Sequence, residues 1–73
     1  MEIKFGEVGR IVAGQEQGRY VKVVDDVADT GGFFIPTATA LDMHEGSFDS
    51  WVENGEMLQR FIEEAGWIIE WAP

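Results

Sequence analysis

One segment of the chain gathers side chains that catalysis would need. His44, the single histidine, stands in Leu-Asp-Met-His-Glu-Gly, so Asp42 and Glu45 flank it. A carboxylate near an imidazole can orient a general base, and these three side chains are also metal ligands. Adjacent residues converge only in a tightly folded loop, however, and the metalloprotease pattern His-Glu-x-x-His lacks its second histidine. We therefore expect a surface histidine and a protein that is not an enzyme, with a metal-assisted hydrolase using His44 as an alternative.

Three aspartates before a glycine pair suggest a cation-binding loop. Asp25, Asp26 and Asp29 precede Gly31-Gly32. An EF-hand needs oxygen ligands, a glycine and a glutamate at fixed positions. Counted from Asp25, unsuitable residues occupy three of these positions, namely Val27, Thr30 and Pro36. We interpret the segment as a solvated turn whose aspartates hydrogen-bond their own backbone, expect no metal or cofactor, and leave open a weak, irregular Ca²⁺ site.

The segment from Phe48 to Trp71 mixes large aromatic side chains with carboxylates. It holds five of the nine aromatic residues and six acidic residues. Tryptophan dominates binding hot spots, and an acidic rim around an aromatic anchor suits a basic protein. A small domain also needs large side chains in its core, so we assign Phe61 and two tryptophans to the core and expect Trp51 to be exposed. The predicted partner-binding residues are Trp51, Glu53, Glu56 and Glu63.

The charge of the chain is negative and unevenly distributed. Fourteen acidic and five basic residues give a formal charge of -9. Residues 1–22 carry four basic and three acidic residues (+1), whereas residues 23–73 carry one basic and eleven acidic residues (-10). Most of the chain would repel a polyanion, so we expect no direct binding to nucleic acid or anionic membranes, and attraction to a basic protein. Acidity that serves only solubility is the alternative.

Length and composition predict a single acidic domain, 1–73. Apolar residues make up 45% of the chain, and it contains no cysteine, which excludes disulfide scaffolds, thiolate metal sites and cysteine nucleophiles. The sequence shows no run of about 18 apolar residues and no secretory leader. We therefore expect a cytoplasmic protein that does not enter a membrane.

Two β-branched runs predict an N-terminal hairpin. They cover residues 8–14 and 19–24 and are joined by a polar connector of hairpin length. In the second run, alternation places Val21 and Val23 on the core side. The alternation of residues 2–5 predicts a further short strand.

A third strand is predicted at 32–36, after a turn-rich segment that begins at Asp25. Proline cannot donate a ladder hydrogen bond, so Pro36 is expected at the end of this strand or at a sheet edge. Residues 37–47 show no clean period, and Thr37–Ala40 either extend the strand or begin a loop.

The C-terminal third predicts a helix and a strand. We expect a short turn at 48–53, then a helix at 55–65 with Asn54 as its N-cap and Gly66 as the residue that ends it. Phe61 is expected to pack over the sheet near Val21, Val23 and Ile69. After Gly66 the apolar period changes from 3.6 to 2, which predicts a strand with Trp67, Ile69 and Trp71 on one side. The apolar stripe of the helix comprises Met57, Leu58, Phe61, Ile62 and Ala65.

This order of elements predicts an α+β fold: a β-meander of three or four antiparallel strands, one helix packed on one face of the sheet, and a C-terminal strand. The leading functional hypothesis is a non-enzymatic interaction module, of the inhibitor or immunity type, that binds a basic protein. We expect a monomer or a weak homodimer. A structural or homodimer-forming domain, joined through a sheet edge or an exposed tryptophan, is the alternative.

Overall fold

A computed structural model of the protein describes residues 3–40, 42–43 and 45–71. It confirms the α+β class, and every strand pairing within these residues is antiparallel. Five strand segments precede the helix, because the second β-branched run divides in two and residues 48–52 also form a strand. The elements are β1 (Val8–Ala13), β2 (Tyr20–Lys22), β3 (Val24–Asp26), β4 (Gly32–Ala38), β5 (Phe48–Val52), α1 (Gly55–Ala65) and β6 (Ile68–Trp71).

The strands form one sheet that α1 crosses from edge to edge. β4 is paired on both sides: β5 lies on one side, and β2 and β3 lie on the other. Residues paired on both sides include Phe33, Phe34 and Thr37. β1 pairs with β2 and with β6. β5 and β6 are therefore outer strands, β3 is paired on one side only, and the helix that connects β5 to β6 must pass over a face of the sheet.

Pro36 lies inside β4, so its expected place at a strand end or sheet edge is wrong. Asp49 of β5 is its partner on one side, and the continuous register of β2 and β3 places Lys22 on the other. Proline has no N–H to donate to this ladder. The break at Val23, between β2 and β3, falls beside the missing donor. β2 and β3 are thus one strand that a single proline interrupts.

Three further local predictions need correction. Residues 3–5 do not form a strand; their segment is held instead where the Gly6 N–H donates to the carbonyl oxygen of Val23 at 2.8 Å. Residues 48–52 are a strand and not a turn, because the free side of β4 pairs with all five of them. The predicted turn from Asp25 begins two residues later, since Asp25 and Asp26 pair with β4. The open choice at 37–40 resolves as a strand that continues to Ala38.

The helix has the predicted bounds and caps. Asn54 Oδ1 accepts a hydrogen bond from the Met57 N–H at 2.8 Å, and Gly66 ends the helix with φ of 68°. α1 has 11 residues, and no helix in the described ranges has the length and apolar character needed to cross a bilayer.

The helix stripe is centred differently from the prediction. Leu58 and Ile62 are buried over the sheet, whereas Met57 is exposed. Phe61 is half-buried and packs edge-to-face on Trp67, with ring centroids 5.5 Å apart. Phe61 thus packs against the buried cluster, as predicted, but stays partly exposed, and the fully buried positions of the helix are Leu58 and Ile62.

The core lies between α1 and the face of the sheet beneath it, which we call the inner face. The alternation predicted for Val21 and Val23 is confirmed, since both are fully buried. The final strand also alternates as predicted: Ile68 and Glu70 are exposed, Ile69 and Trp71 are half-buried, and Trp67, just before the strand, is buried. The buried cluster consists of Ile11, Val21, Val23, Ile35, Leu58, Ile62 and Trp67.

A close backbone contact fixes the end of α1. The Gln15 N–H donates to the carbonyl oxygen of Ala65 at 2.9 Å. A Cβ atom at Gly14 would clash with the carbonyl of Gly66, and the φ of Gly14 is 96°. Glycine is therefore required for both space and conformation where the β1–β2 turn meets the helix.

Candidate functional site

The face of the sheet opposite α1, which we call the outer face, carries the exposed tryptophan. Successive side chains of a strand point to opposite faces. Ile35 and Val52 belong to the core side, so Phe34 and Trp51 point away from it. The register aligns Val24, Phe34 and Trp51 across three strands. An apolar row thus crosses the outer face on β3, β4 and β5.

Trp51 is exposed, but two contacts fix its ring. Its side chain is 46% exposed, as the sequence predicted for this tryptophan. Its Nε1–H donates to Thr30 Oγ1 at 3.0 Å, and the Thr30 hydroxyl donates to the carbonyl oxygen of Asp26 at 3.2 Å. The ring lies on Gly32, where an added Cβ would be 2.5 Å from Cζ2. A ring held in this way loses little conformational entropy when a partner covers it.

Carboxylates flank the apolar row. Asp26 pairs with Gly32, the glycine on which the Trp51 ring lies, and Asp49 pairs with Pro36, so both lie on the outer face. Glu53 is exposed just after β5. The ion pairs within the described residues are Glu16–Arg19 and Glu56–Arg60. The carboxylates of Asp26, Asp49 and Glu53 are therefore available to cations from outside the chain.

Two basic residues also lie on the outer face. Register and alternation place Lys22 and Arg10 on the outer face of β2 and β1, where Arg10 is opposite Glu70. One cation approaches β5 from the inner side: the Arg19 guanidinium carbon lies 5.1 Å from the centroid of the Phe48 ring, and Arg19 Nε lies 3.3 Å from Glu16 Oε1. Lys22 thus borders the carboxylates of β3 and β5, since it shares a row with Pro36 and Asp49, and Arg10 lies farther away beside Glu70.

The structure does not bring the four predicted partner-binding residues together. Trp51 and Glu53 lie on and just beyond β5, but Glu56 and Glu63 are exposed on α1, which covers the inner face. Glu56 Oε1 lies 3.9 Å from Arg60 Nη2, and Glu63 Oε1 accepts a hydrogen bond from Gln59 Nε2 at 3.1 Å. Any role of Glu56 and Glu63 therefore belongs to a different surface from that of Trp51.

Sequence reasoning missed two carboxylates beside Trp51, Asp26 and Asp49. Asp49 could have been found, because a period of 2 places it on the same side of a strand as Trp51. Asp26 could not, since its pairing with Gly32, the glycine on which the ring lies, follows from the register of β3 and β4 and not from spacing along the chain.

A cleft of about 230 Å³ lies on the helix side of the molecule. Phe5 stacks on Phe33 in its wall, with ring centroids 5.6 Å apart, and Glu63 stands among the polar residues of its lining. Ile3, at the start of the described chain, completes one wall. This cleft and the outer face are separated by the core.

The other predicted chemical groups do not converge within the described residues. Asp25 Oδ1 accepts a hydrogen bond from the Val27 N–H at 3.2 Å, the local turn bond that the sequence predicted for this segment. No group of three acidic side chains in residues 3–40, 42–43 and 45–71 is arranged to hold a metal ion. His44 lies outside the described residues, so the hydrolase hypothesis stays a prediction; Asp42 and Glu45, on either side of it, are exposed.

No protein-family model matches the chain, and no curated protein or solved structure matches it either. The chemistry of the outer face is then the guide to function. An exposed, fixed indole offers its π face to an ammonium or guanidinium group, and neighbouring carboxylates favour the same cations. The arrangement suits recognition of lysine and arginine side chains.

Proposed function

We propose that this protein is a non-enzymatic interaction module that binds a basic protein through the Trp51 face, defined as Val24, Asp26, Phe34, Asp49 and Trp51. The observation that carries the proposal is the fixed exposure of Trp51, whose ring lies on Gly32 and whose Nε1–H is bound to Thr30. A side chain left exposed by chance needs no such restraint.

The expected energies favour a tryptophan anchor with a charged rim. Covering the exposed half of an indole removes about 100 Å² of largely apolar surface from water, which contributes roughly 2.5 kcal/mol. A guanidinium group over the ring adds about 0.5 to 2 kcal/mol, depending on how far it is desolvated. The charge of -10 on residues 23–73 would speed the approach of a basic partner, with a rate that falls as salt rises.

The partner class follows from the charge. A protein that binds nucleic acid, such as a nuclease toxin, presents lysine and arginine where phosphates bind, and a carboxylate array can occupy that surface in their place. The proposal therefore includes an inhibitor or immunity role. It also keeps the cytoplasmic location expected from the sequence.

Two charge-matched double variants test which surface binds. Asp26→Asn with Asp49→Asn neutralises two carboxylates of the Trp51 face, and Glu56→Gln with Glu63→Gln neutralises two on α1. Immobilised protein is exposed to lysate of its source cells at low and high salt, the retained proteins are identified by mass spectrometry, and Kd is measured for each purified basic protein. We expect salt-sensitive binding that weakens at least about tenfold in the Trp51-face variant and less than about threefold in the helix variant.

Equal or greater weakening in the helix variant would move the site to α1. Failure of the wild-type protein to retain any basic protein at low salt would reject the proposed function. The homodimer alternative predicts a molar mass that rises with concentration in light scattering, and a constant monomer mass would exclude it.

A further inference from the structure

β5 is an outer strand with one unused edge. It pairs with β4 over all five of its residues, and no strand within the described residues pairs with its other side. The N–H and C=O of one residue in an antiparallel strand point to the same side, and successive residues alternate. Some residues of β5 therefore direct their backbone groups away from the sheet.

Two hydrogen bonds identify these residues. The Ile11 N–H donates to Arg19 O, and the Gly6 N–H donates to Val23 O. In the strand formed by β2 and β3, the N–H and C=O groups of odd-numbered residues thus point towards β1 and the N-terminal segment. Those of even-numbered residues point towards β4. Val24 is opposite Phe34, so the backbone groups of even-numbered residues in β4 point towards β3 and β2. Those of odd-numbered residues in β4 point towards β5.

The same alternation continues into β5. Phe33, Ile35 and Thr37 are paired with Val52, Ser50 and Phe48, and these three residues of β5 use their backbone groups within the sheet. Asp49 and Trp51 are left with backbone groups that point outward. The unused edge is therefore formed by two residues of the Trp51 face.

We propose that an extended segment of the basic partner adds to this edge as a further strand, with its backbone bonded to Asp49 and Trp51. This inference rests on the proposed function and specifies how the partner is bound. Side chains of the added strand that point to the outer face would meet the Trp51 ring and the Asp49 carboxylate. Alternate lysine or arginine residues fit these neighbours.

Charge favours a basic segment over a second copy of this chain. Residues 42–59 contain five acidic residues and no lysine or arginine. Two copies paired about Trp51 would place Asp49 of one opposite Glu53 of the other, and like charges directly opposite destabilise a strand pair. A charge on an outer strand also discourages pairing between identical edges. The same carboxylates would stabilise a basic strand.

The test uses a defined probe and the full chain. The probe is a capped peptide of about eight residues that alternates arginine and valine, long enough to form an ordinary strand. A second peptide has the same side chains but N-methyl groups on alternate amides, which removes backbone donors and keeps the charge. Binding is followed by backbone amide NMR shifts, by hydrogen exchange of Asp49 and Trp51, and by Kd.

Two variants of Asp49 separate the contribution of its backbone N–H to peptide binding from that of its carboxylate. Asp49→Asn removes the carboxylate and keeps the N–H, whereas Asp49→Pro removes both, at a residue whose N–H is not used within the sheet. Circular dichroism checks that both fold. We expect the unmethylated peptide to protect the Asp49 and Trp51 amides, the methylated peptide to bind at least about tenfold more weakly, and Asp49→Pro to bind about tenfold more weakly than Asp49→Asn.

Equal binding of the two peptides, or of the two variants, would overturn strand addition while leaving recognition by side chains intact. Peptide-induced shifts confined to β6 or β3, which are also paired on one side only, would overturn it too, as would the absence of any binding. The retention of basic proteins from lysate tests the proposed function separately. That experiment uses the partner itself and variants that change side-chain charge without altering the backbone of β5.

Discussion

The two faces of the sheet are built by the same strands and differ in how their aromatic side chains are held. On the inner face, Trp67 is 3% exposed and belongs to the core beneath α1. On the outer face, Trp51 keeps 46% of its surface in water, although its ring and its N–H are both fixed. The Trp67 ring is held in place by burial, whereas the Trp51 ring is held by contacts with Thr30 and Gly32. Trp51 is thus ordered without being buried, and the proposed binding surface rests on this feature.

A glycine makes the close approach possible in each region. Gly14 lets the backbone of the β1–β2 turn reach the end of α1, and Gly32 lets a single indole ring lie on β4. The first contact positions the element that covers the core. The second positions one exposed side chain, which is a costly use of a glycine in a strand unless the side chain has a role.

The largest effect is expected from the inner face. Ile62→Ala should lower the free energy of unfolding by roughly 3 to 4 kcal/mol, because Ile62 is 1% exposed and its loss leaves a cavity. Phe61→Ala, one residue away and half-buried, should cost about 1 to 2 kcal/mol. Urea denaturation of both variants measures the difference. Equal losses would show that Phe61 carries as much of the helix packing as Ile62.

The next largest loss of stability is expected at Gly32, beneath the Trp51 ring. Gly32→Ala should cost roughly 2 to 3 kcal/mol, because its Cβ would overlap the ring of Trp51 and the carbonyl of Val52. Gly31→Ala is the matched control: Gly31 has a φ of 84° and nothing within 4 Å of an added Cβ, so only conformational strain of about 1 kcal/mol applies.

The NMR signal of the Trp51 indole N–H reports directly whether the ring is displaced in Gly32→Ala. Faster exchange of this proton is expected in Gly32→Ala and not in Gly31→Ala. An unchanged indole signal in Gly32→Ala would mean that the ring does not depend on this contact.

Removing the outer tryptophan should weaken binding while lowering stability only moderately. Trp51→Ala is expected to cost about 1 to 2 kcal/mol of stability, since half of the side chain is already in water. The loss in partner affinity should exceed tenfold, as for an anchor residue. Calorimetric unfolding and a binding titration of the same sample separate the two. A loss of stability comparable to that of Ile62→Ala would instead assign Trp51 to the core.

Added salt should produce the smallest effect. Because residues 23–73 carry a charge of -10, self-repulsion destabilises the compact state at neutral pH, and about 0.3 M NaCl should raise the melting temperature by roughly 2 to 4 °C. Asp26→Asn with Asp49→Asn should reduce this gain. A fall in the melting temperature would show that ion pairs such as Glu16–Arg19 outweigh the repulsion.

Sequence reasoning succeeded where the signal is local and failed where a partner strand decides. The helix at 55–65, its cap Asn54 and its terminal Gly66 follow from side chains within a few residues of one another. Residues 48–52 were expected to form a turn, but β4 supplies a neighbour that makes them a strand. Of the predicted site residues, the exposure of Trp51 is confirmed, while the separation of Glu56 and Glu63 from it follows from the crossing of α1.

The fold class, the helix, the alternation of Val21 and Val23 and the acidic charge follow from the sequence alone, because periodicity, capping and composition are properties of neighbouring residues or of the whole chain. The tertiary structure adds three features: Pro36 lies inside the sheet, Asp26 pairs with the glycine on which the Trp51 ring lies, and β5 keeps one edge open. Each of these depends on strand register, which is set by pairing between residues far apart in the chain and by which face the helix covers.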